Sequence, residues 1–289
     1  IPLWIGVATL VAGGIGAAGA WSAPEERARL VARSLAGAPA AWIVGMPTIG
    51  WVAETDWRLA FLAVPLPAAV VTMGLLAAIP GGEPELRAAP SLLRLLRAPR
   101  AGWWAIGELL AMSAWAGTLV FSGALFIETY GASARLTGIV LATVAAAYLA
   151  GNILGGRMRG ACARRALAWS NVGAAVAVAL TWIVTPHLLV TVALFGLAAA
   201  IVAARTVTGT TYGFVLGGER KLEVGAARAA LTHVGYLAGS LLGGAALAVG
   251  GGAAVGIAFG SLFLASAVPY LVTWSTRCEV RAQVELAPA

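Results

Sequence analysis

The chain has 289 residues, of which 60% are hydrophobic and 11% charged, with a formal net charge of +7; its mean hydropathy is +0.89. So few charged side chains cannot coat a soluble globule, where about a quarter of residues carry charge, and disorder is excluded because disordered chains are polar and charge-rich. The 37 glycines follow no three-residue period, so a collagen-like chain is excluded as well.

Apolar stretches alternate with short charged segments, and nine spans are read at 1–21, 28–53, 58–79, 101–127, 136–156, 166–185, 187–212, 227–249 and 252–275. Each can cross about 30 Å of hydrocarbon as a helix. Helices satisfy their own backbone hydrogen bonds in lipid, and the ten-residue alternation of a transmembrane barrel is absent. The expected fold class is therefore an all-α polytopic membrane protein. The chain begins at Ile1 inside an apolar stretch and without a signal-peptide pattern, so it is read as a piece that lacks its true N-terminus.

Basic residues fix the orientation. With the segment after the first span placed in the cytoplasm, 16 of the 19 Lys and Arg, Arg228 among them, fall on the cytoplasmic side. Only Arg58 and Arg135 fall outside, and Arg205 falls within a span. This is the positive-inside bias, and the surplus of arginine reflects cytoplasmic loops rather than nucleic-acid binding. Trp21, Trp51, Trp57, Trp103, Trp104, Trp169, Trp182 and Trp274 lie near span ends, as interfacial tryptophans do. Cys162 and Cys278 fall in cytoplasmic segments and are expected to be reduced thiols.

The segment 80–100 is the longest polar stretch, with a short amphipathic pattern over Ser91–Leu96, and reads as a cytoplasmic surface linker. It divides the chain into 1–79 (three helices), the linker, 101–275 (six helices) and a cytoplasmic tail, 276–289. Gly37, Ala41 and Gly45 in span two are echoed by Gly235, Gly239 and Gly243 in span eight. Each set follows a charged cytoplasmic segment, and the 194-residue offset from Gly45 to Gly239 covers six spans. Related halves of this kind are a signature of secondary transporters.

Several runs resemble the major facilitator superfamily, especially its drug and sugar efflux branch. Ala23-Pro24-Glu25-Glu26-Arg27 looks like the loop between helices four and five. Gly45-Met46-Pro47-Thr48-Ile49-Gly50 is similar to the antiporter motif of helix five, although Met46 stands where glycine is usual. Asp56-Trp57-Arg58 with Phe61 looks like the entry to helix six. Gly155, Gly156 and Arg157, with Arg164 and Arg165, resemble a degenerate second copy of the basic loop motif, with Gly160 in place of aspartate. The resemblance implies a bundle of two six-helix halves, of which helices four to twelve are present. It also implies proton-coupled efflux by alternating access in a bacterial inner membrane, with export by proton antiport. A monomer is expected, whose partners are protons, a small-molecule substrate and the lipid bilayer.

Charge within hydrocarbon costs at least about 2.5 kcal/mol on insertion scales, so ionisable residues inside spans are candidate functional groups. Glu108 shares a helical face with Met112, Trp115, Leu119, Ser122 and Phe126. It reads either as a proton or cation site in a wet cavity or as a helix-end carboxylate reaching cytoplasmic water. Arg205, with Thr208 and Tyr212 on its face, matches the depth of Glu108. It either pairs with Glu108 or snorkels to phosphate headgroups. His233, beside Thr232, Tyr236 and Ser240, is a proton carrier or a packing residue. The glycines of the same side form either a sliding contact between halves or static packing. Tyr148 and Asn152, at i and i+4, make an inward pair that would bind substrate or a neighbouring helix. Pro39 and Pro47 would bend span two.

No phosphate-binding glycine loop, no metal-spaced Cys/His cluster and no nucleophile constellation is present in the sequence. ATP, metal and other cofactors are therefore not expected, and an enzyme finds no support. A non-transporting polytopic scaffold or subunit, with its interior packed shut, stands as the alternative to a carrier.

Overall fold

Long apolar helices dominate the computed structural model, which describes residues 25–60, 97–157 and 163–272, with isolated positions at 14–16, 18, 22, 23, 70, 73, 74 and 95. Six continuous elements result: α1 Arg27–Asp56, α2 Pro99–Tyr130, α3 Ala134–Arg157, α4 Ala163–Ile183, α5 Leu188–Gly217 and α6 Lys221–Val272. All six are long and apolar enough to cross a membrane. Element α6 is two spans, because its backbone breaks at Gly250 and Gly251. Gly251 has φ +61° and ψ −154°, a conformation essentially reserved for glycine. The described residues thus hold seven helices where nine were expected. The other two expected spans, 1–21 and 58–79, fall almost wholly outside the described residues, as do most of the linker and the tail after 272.

Local sequence sets the helix ends. Pro99 opens α2, where its missing N–H is no loss. Gly131 closes it at φ +62°, returning its N–H to the Ile127 carbonyl. His187 caps α5 by accepting from the Leu189 N–H at 3.3 Å. Element α1 runs through both Pro39 and Pro47 as one helix.

The outward surface is greasy. Val176, Leu189, Leu197, Leu237, Leu241, Val249 and Ile257 are all exposed, which in water would be a large apolar patch and in lipid is solvation. The chain is a multi-pass membrane protein. Inside, one apolar cluster gathers Trp115, Phe126, Phe195, Phe259 and Phe263, and a second gathers Trp104, Leu167, Phe214, Val224 and Tyr270.

Glycine decides how closely the helices approach. A Cβ on Gly239 would strike the backbone of Ser113 and Gly117, so α6 lies against α2. Gly151 and Gly155 meet α5 in the same way, at Ala200 and Ala204. The glycine side of α6 is therefore a tight seam with α2 rather than a contact with α1. Element α1 packs mainly on α3, where Gly138 faces the Met46 carbonyl and Gly50 faces Ala134.

Two expected interfacial tryptophans are instead interior. Trp104 is 2% exposed and donates to the Gly209 carbonyl at 2.9 Å, and Trp182 is also buried. Their position near a span end places them beside a neighbouring helix rather than at the lipid boundary. Trp51, Trp57, Trp103 and Trp169 are exposed, while Trp21 and Trp274 lie outside the described residues.

Candidate functional site

Arg205 and Glu108 meet where the two apolar clusters join. Ala105 and Val207 belong to one cluster, Ala111 and Val202 to the other, and the charged pair lies between them. Both side chains are fully buried. Arg205 Nη1 donates to Glu108 Oε2 at 2.8 Å, its Nε donates to Asn171 Oδ1 at 2.9 Å, and its Nη2 reaches the Gly107 carbonyl and the Tyr270 hydroxyl at 3.3 Å. The Tyr270 hydroxyl donates onward to Glu108 Oε1 at 3.1 Å. Neither snorkelling of Arg205 nor contact of Glu108 with cytoplasmic water is left open by this arrangement.

Backbone geometry makes room for the cluster. Gly107 lies under the Tyr270 ring, and Gly209 lies under the Glu108 carboxylate; a side chain at either would displace its neighbour. Asn171 is held by its own amide, which donates to the Ser266 carbonyl at 3.3 Å. Four helices, α2, α4, α5 and α6, thus fix one ion pair, with charge-assisted bonds on most of its polar atoms.

Arg228 joins this group, contrary to its expected place in a cytoplasmic loop. It is 3% exposed, and its Nε lies 3.5 Å from Glu108 Oε2. Nε also faces Thr210 Oγ1 at 3.3 Å, Nη1 donates to Thr232 Oγ1 at 2.9 Å, and Nη2 meets Met112 Sδ at 3.3 Å. The reason is helix length: α6 begins at Lys221, so Arg228 stands two turns inside it. The spacing Arg228, Thr232, Tyr236 was readable as one polar line at i, i+4 and i+8. Asn171 was likewise a lone amide in an apolar span, whereas nothing in the sequence marks Tyr270 as a partner of Glu108.

The remaining candidates divide. Trp115 is buried and stacks on Tyr148 with ring centroids 5.7 Å apart. Asn152 is buried but does not accompany Tyr148; its amide donates to the Leu35 carbonyl of α1 at 3.3 Å. Ser122 and Thr208 bond back to carbonyls of their own helices, at Leu119 and Ala204. Tyr212 meets the Tyr270 ring edge-on at 6.4 Å. His233 is half-buried with Nδ1 2.7 Å from the Ala229 carbonyl, and Tyr236 is half-buried nearby.

The antiporter-like run lies on the seam with α3. Pro47, Thr48 and Trp51 line a cleft of about 530 Å3 with Arg135 and Ile139, Gly50 abuts Ala134, and Gly45 is half-buried. Of the basic loop run, Gly155 packs on Ala204 and Gly156 on Ala32, while Arg157 and Arg165 are exposed and Arg164 is half-buried. No group of three His, Cys, Asp or Glu suited to a metal ion occurs among the described residues.

No protein-family model matches the sequence, and no curated protein matches it. Among solved structures, 92% of this chain aligns with 74% of the E. coli fucose:proton symporter, with a TM-score of 0.67 and 14% identity. The fold is major facilitator-like. At that identity the likeness establishes architecture alone. Within this major facilitator-like bundle, Glu108, Arg205 and Arg228 form a charged cluster sealed from solvent, and an uncommon cost of burial is borne there.

Proposed function

We propose that the protein is a secondary active transporter that moves a small molecule across the membrane by alternating access, coupled to protons. The major facilitator-like fold supports carriage in general, and the name of its structural neighbour, a fucose:proton symporter, supports proton coupling. The observation that carries the reading is Glu108, a fully buried carboxylate held by Arg205 and Arg228 from two other helices. A buried pair is costly to break by neutralising one partner, so protonation of Glu108 alone would leave two cations without a counter-charge. That penalty links the proton to a rearrangement of the helices or to arrival of a ligand.

For direction, the Gly45, Pro47 and Gly50 run supports export in exchange for protons, in a bacterial inner membrane. A second reading, co-transport with the proton, is favoured by the cluster itself, since a proton on Glu108 adds a positive charge that only an incoming negative group relieves.

The test uses the purified protein in vesicles holding a pH-sensitive dye, under an imposed pH gradient. Benzoate, tetraphenylphosphonium and methyl glucoside are added as an anionic, a cationic and a neutral probe. Saturable movement of protons with one of them, lost in Glu108→Gln, is the expected result. Proton movement alike in protein-containing and empty vesicles, together with cysteines along α2 and α5 that resist water-soluble reagents, would leave the packed scaffold in place of a carrier.

A further inference from the structure

Among the described residues, the cluster around Glu108 does not balance in charge. Arg205 and Arg228 share Oε2 of one carboxylate, at 2.8 and 3.5 Å, and the other described groups they touch are neutral. No second acidic side chain pairs with either arginine among the described residues.

The two cations are not equally provided for. Arg205 has the short bond to Glu108 and three oxygen acceptors besides. Arg228 has the longer contact, and its Nη2 meets, among the described residues, a thioether, which is a weak acceptor. At 3% exposure it cannot rely on water for the missing charge. The surplus positive charge therefore resides on Arg228.

Arg228 also heads a line of half-buried hydroxyls on its helix. Gly235 and Gly239 seal the adjacent side of α6 onto α2, whereas Thr232, Tyr236 and Ser240, at four-residue spacing from Arg228, are half-buried. A guanidinium at the end of a line of hydroxyls matches a ligand with an anionic head and a body of hydrogen-bonding or aromatic character. A neutral ligand leaves the surplus charge standing, and a cationic one adds to it.

Resting on the transporter reading, we infer that the transported molecule is an organic anion whose carboxylate or phosphate seats on Arg228. The Arg205–Glu108 pair then remains closed on itself, and the anion supplies the counter-charge that Arg228 lacks. Glu108 competes with the anion for the same guanidinium, so removing its charge strengthens binding.

The experiment measures binding to the purified protein in phosphatidylcholine nanodiscs, with no gradient, by calorimetry and by the shift in Tm. The probes are benzoate, inorganic phosphate, tetraphenylphosphonium and methyl glucoside. Saturable binding of benzoate or phosphate is expected, at least tenfold weaker in Arg228→Gln and partly restored in Arg228→Lys. Glu108→Gln is expected to bind the anion several-fold more tightly. Thr232→Val, which keeps the guanidinium, should weaken binding several-fold and serves if Arg228→Gln fails to fold. Equal anion binding in Arg228→Gln and the parent, weaker binding in Glu108→Gln, or binding of none of the anions would overturn the proposal. So would stabilisation by added phosphatidylglycerol alone, which would make the site a lipid headgroup site. Anion binding without proton movement in the vesicle assay would remove the carrier reading and leave the anion site standing; proton-coupled movement of the cation would do the reverse.

Discussion

Gly209 of α5 turns bare backbone toward the carboxylate of Glu108 on α2, close enough that a single methyl group at 209 would collide with Oε1. The ion pair thus depends on a residue that carries no functional group at all. Gly209→Ala is expected to push the carboxylate off Arg205 and to destabilise the protein by about 1–3 kcal/mol, the usual cost of overpacking. Thermal unfolding followed by tryptophan fluorescence measures it, and an unchanged Tm would contradict the packing described.

A double-mutant cycle isolates the pair itself. Glu108→Gln leaves Arg205 and Arg228 without their shared carboxylate and should cost about 3–5 kcal/mol, as removal of one partner from a buried pair does. Adding Arg205→Gln removes one of the stranded charges, so the double variant should be more stable than additivity predicts, by about 0.5–3 kcal/mol. Additive losses would mean that the two residues are neighbours without coupling.

The seam between α1 and α3 is set by Gly138, which faces the Met46 carbonyl next to Pro47. Gly138→Val should force the two helices apart and lower Tm, with a loss of about 1–3 kcal/mol. Gly123→Val, at a position where a Cβ meets nothing within 4 Å, serves as the control and should change stability little. Equal effects of the two would argue against close α1–α3 contact.

Orientation in the membrane is tested by labelling single cysteines in Cys162→Ser, Cys278→Ser protein. A cysteine at Arg220, in the turn between α5 and α6, should react with an impermeant maleimide only after the cells are permeabilised. A cysteine at His187, between α4 and α5, should react in intact cells. The opposite pattern would invert the topology.

Composition and hydropathy were enough for the class of fold, an all-helical multi-pass bundle. Hydropathy located seven of the helices, because a span must be about 20 residues of apolar side chain whatever surrounds it, but it placed the start of α6 at 227 where the helix begins at Lys221. The cost of charge in hydrocarbon likewise singled out Glu108 and Arg205, and equal depth made them candidates to meet. Tertiary structure decided which groups share that site. Arg228 counted as a loop residue because a hydropathy boundary cannot tell a helix turn inside the bundle from one at its edge. Tyr270 and Asn171 entered because α6 and α4 carry them to Arg205, 65 and 34 residues away in sequence. The same geometry sent Asn152 to the α1 backbone and left Tyr148 stacked on Trp115. Periodicity assigns a residue to a face, but the partner on that face depends on which helix the glycines allow to come close.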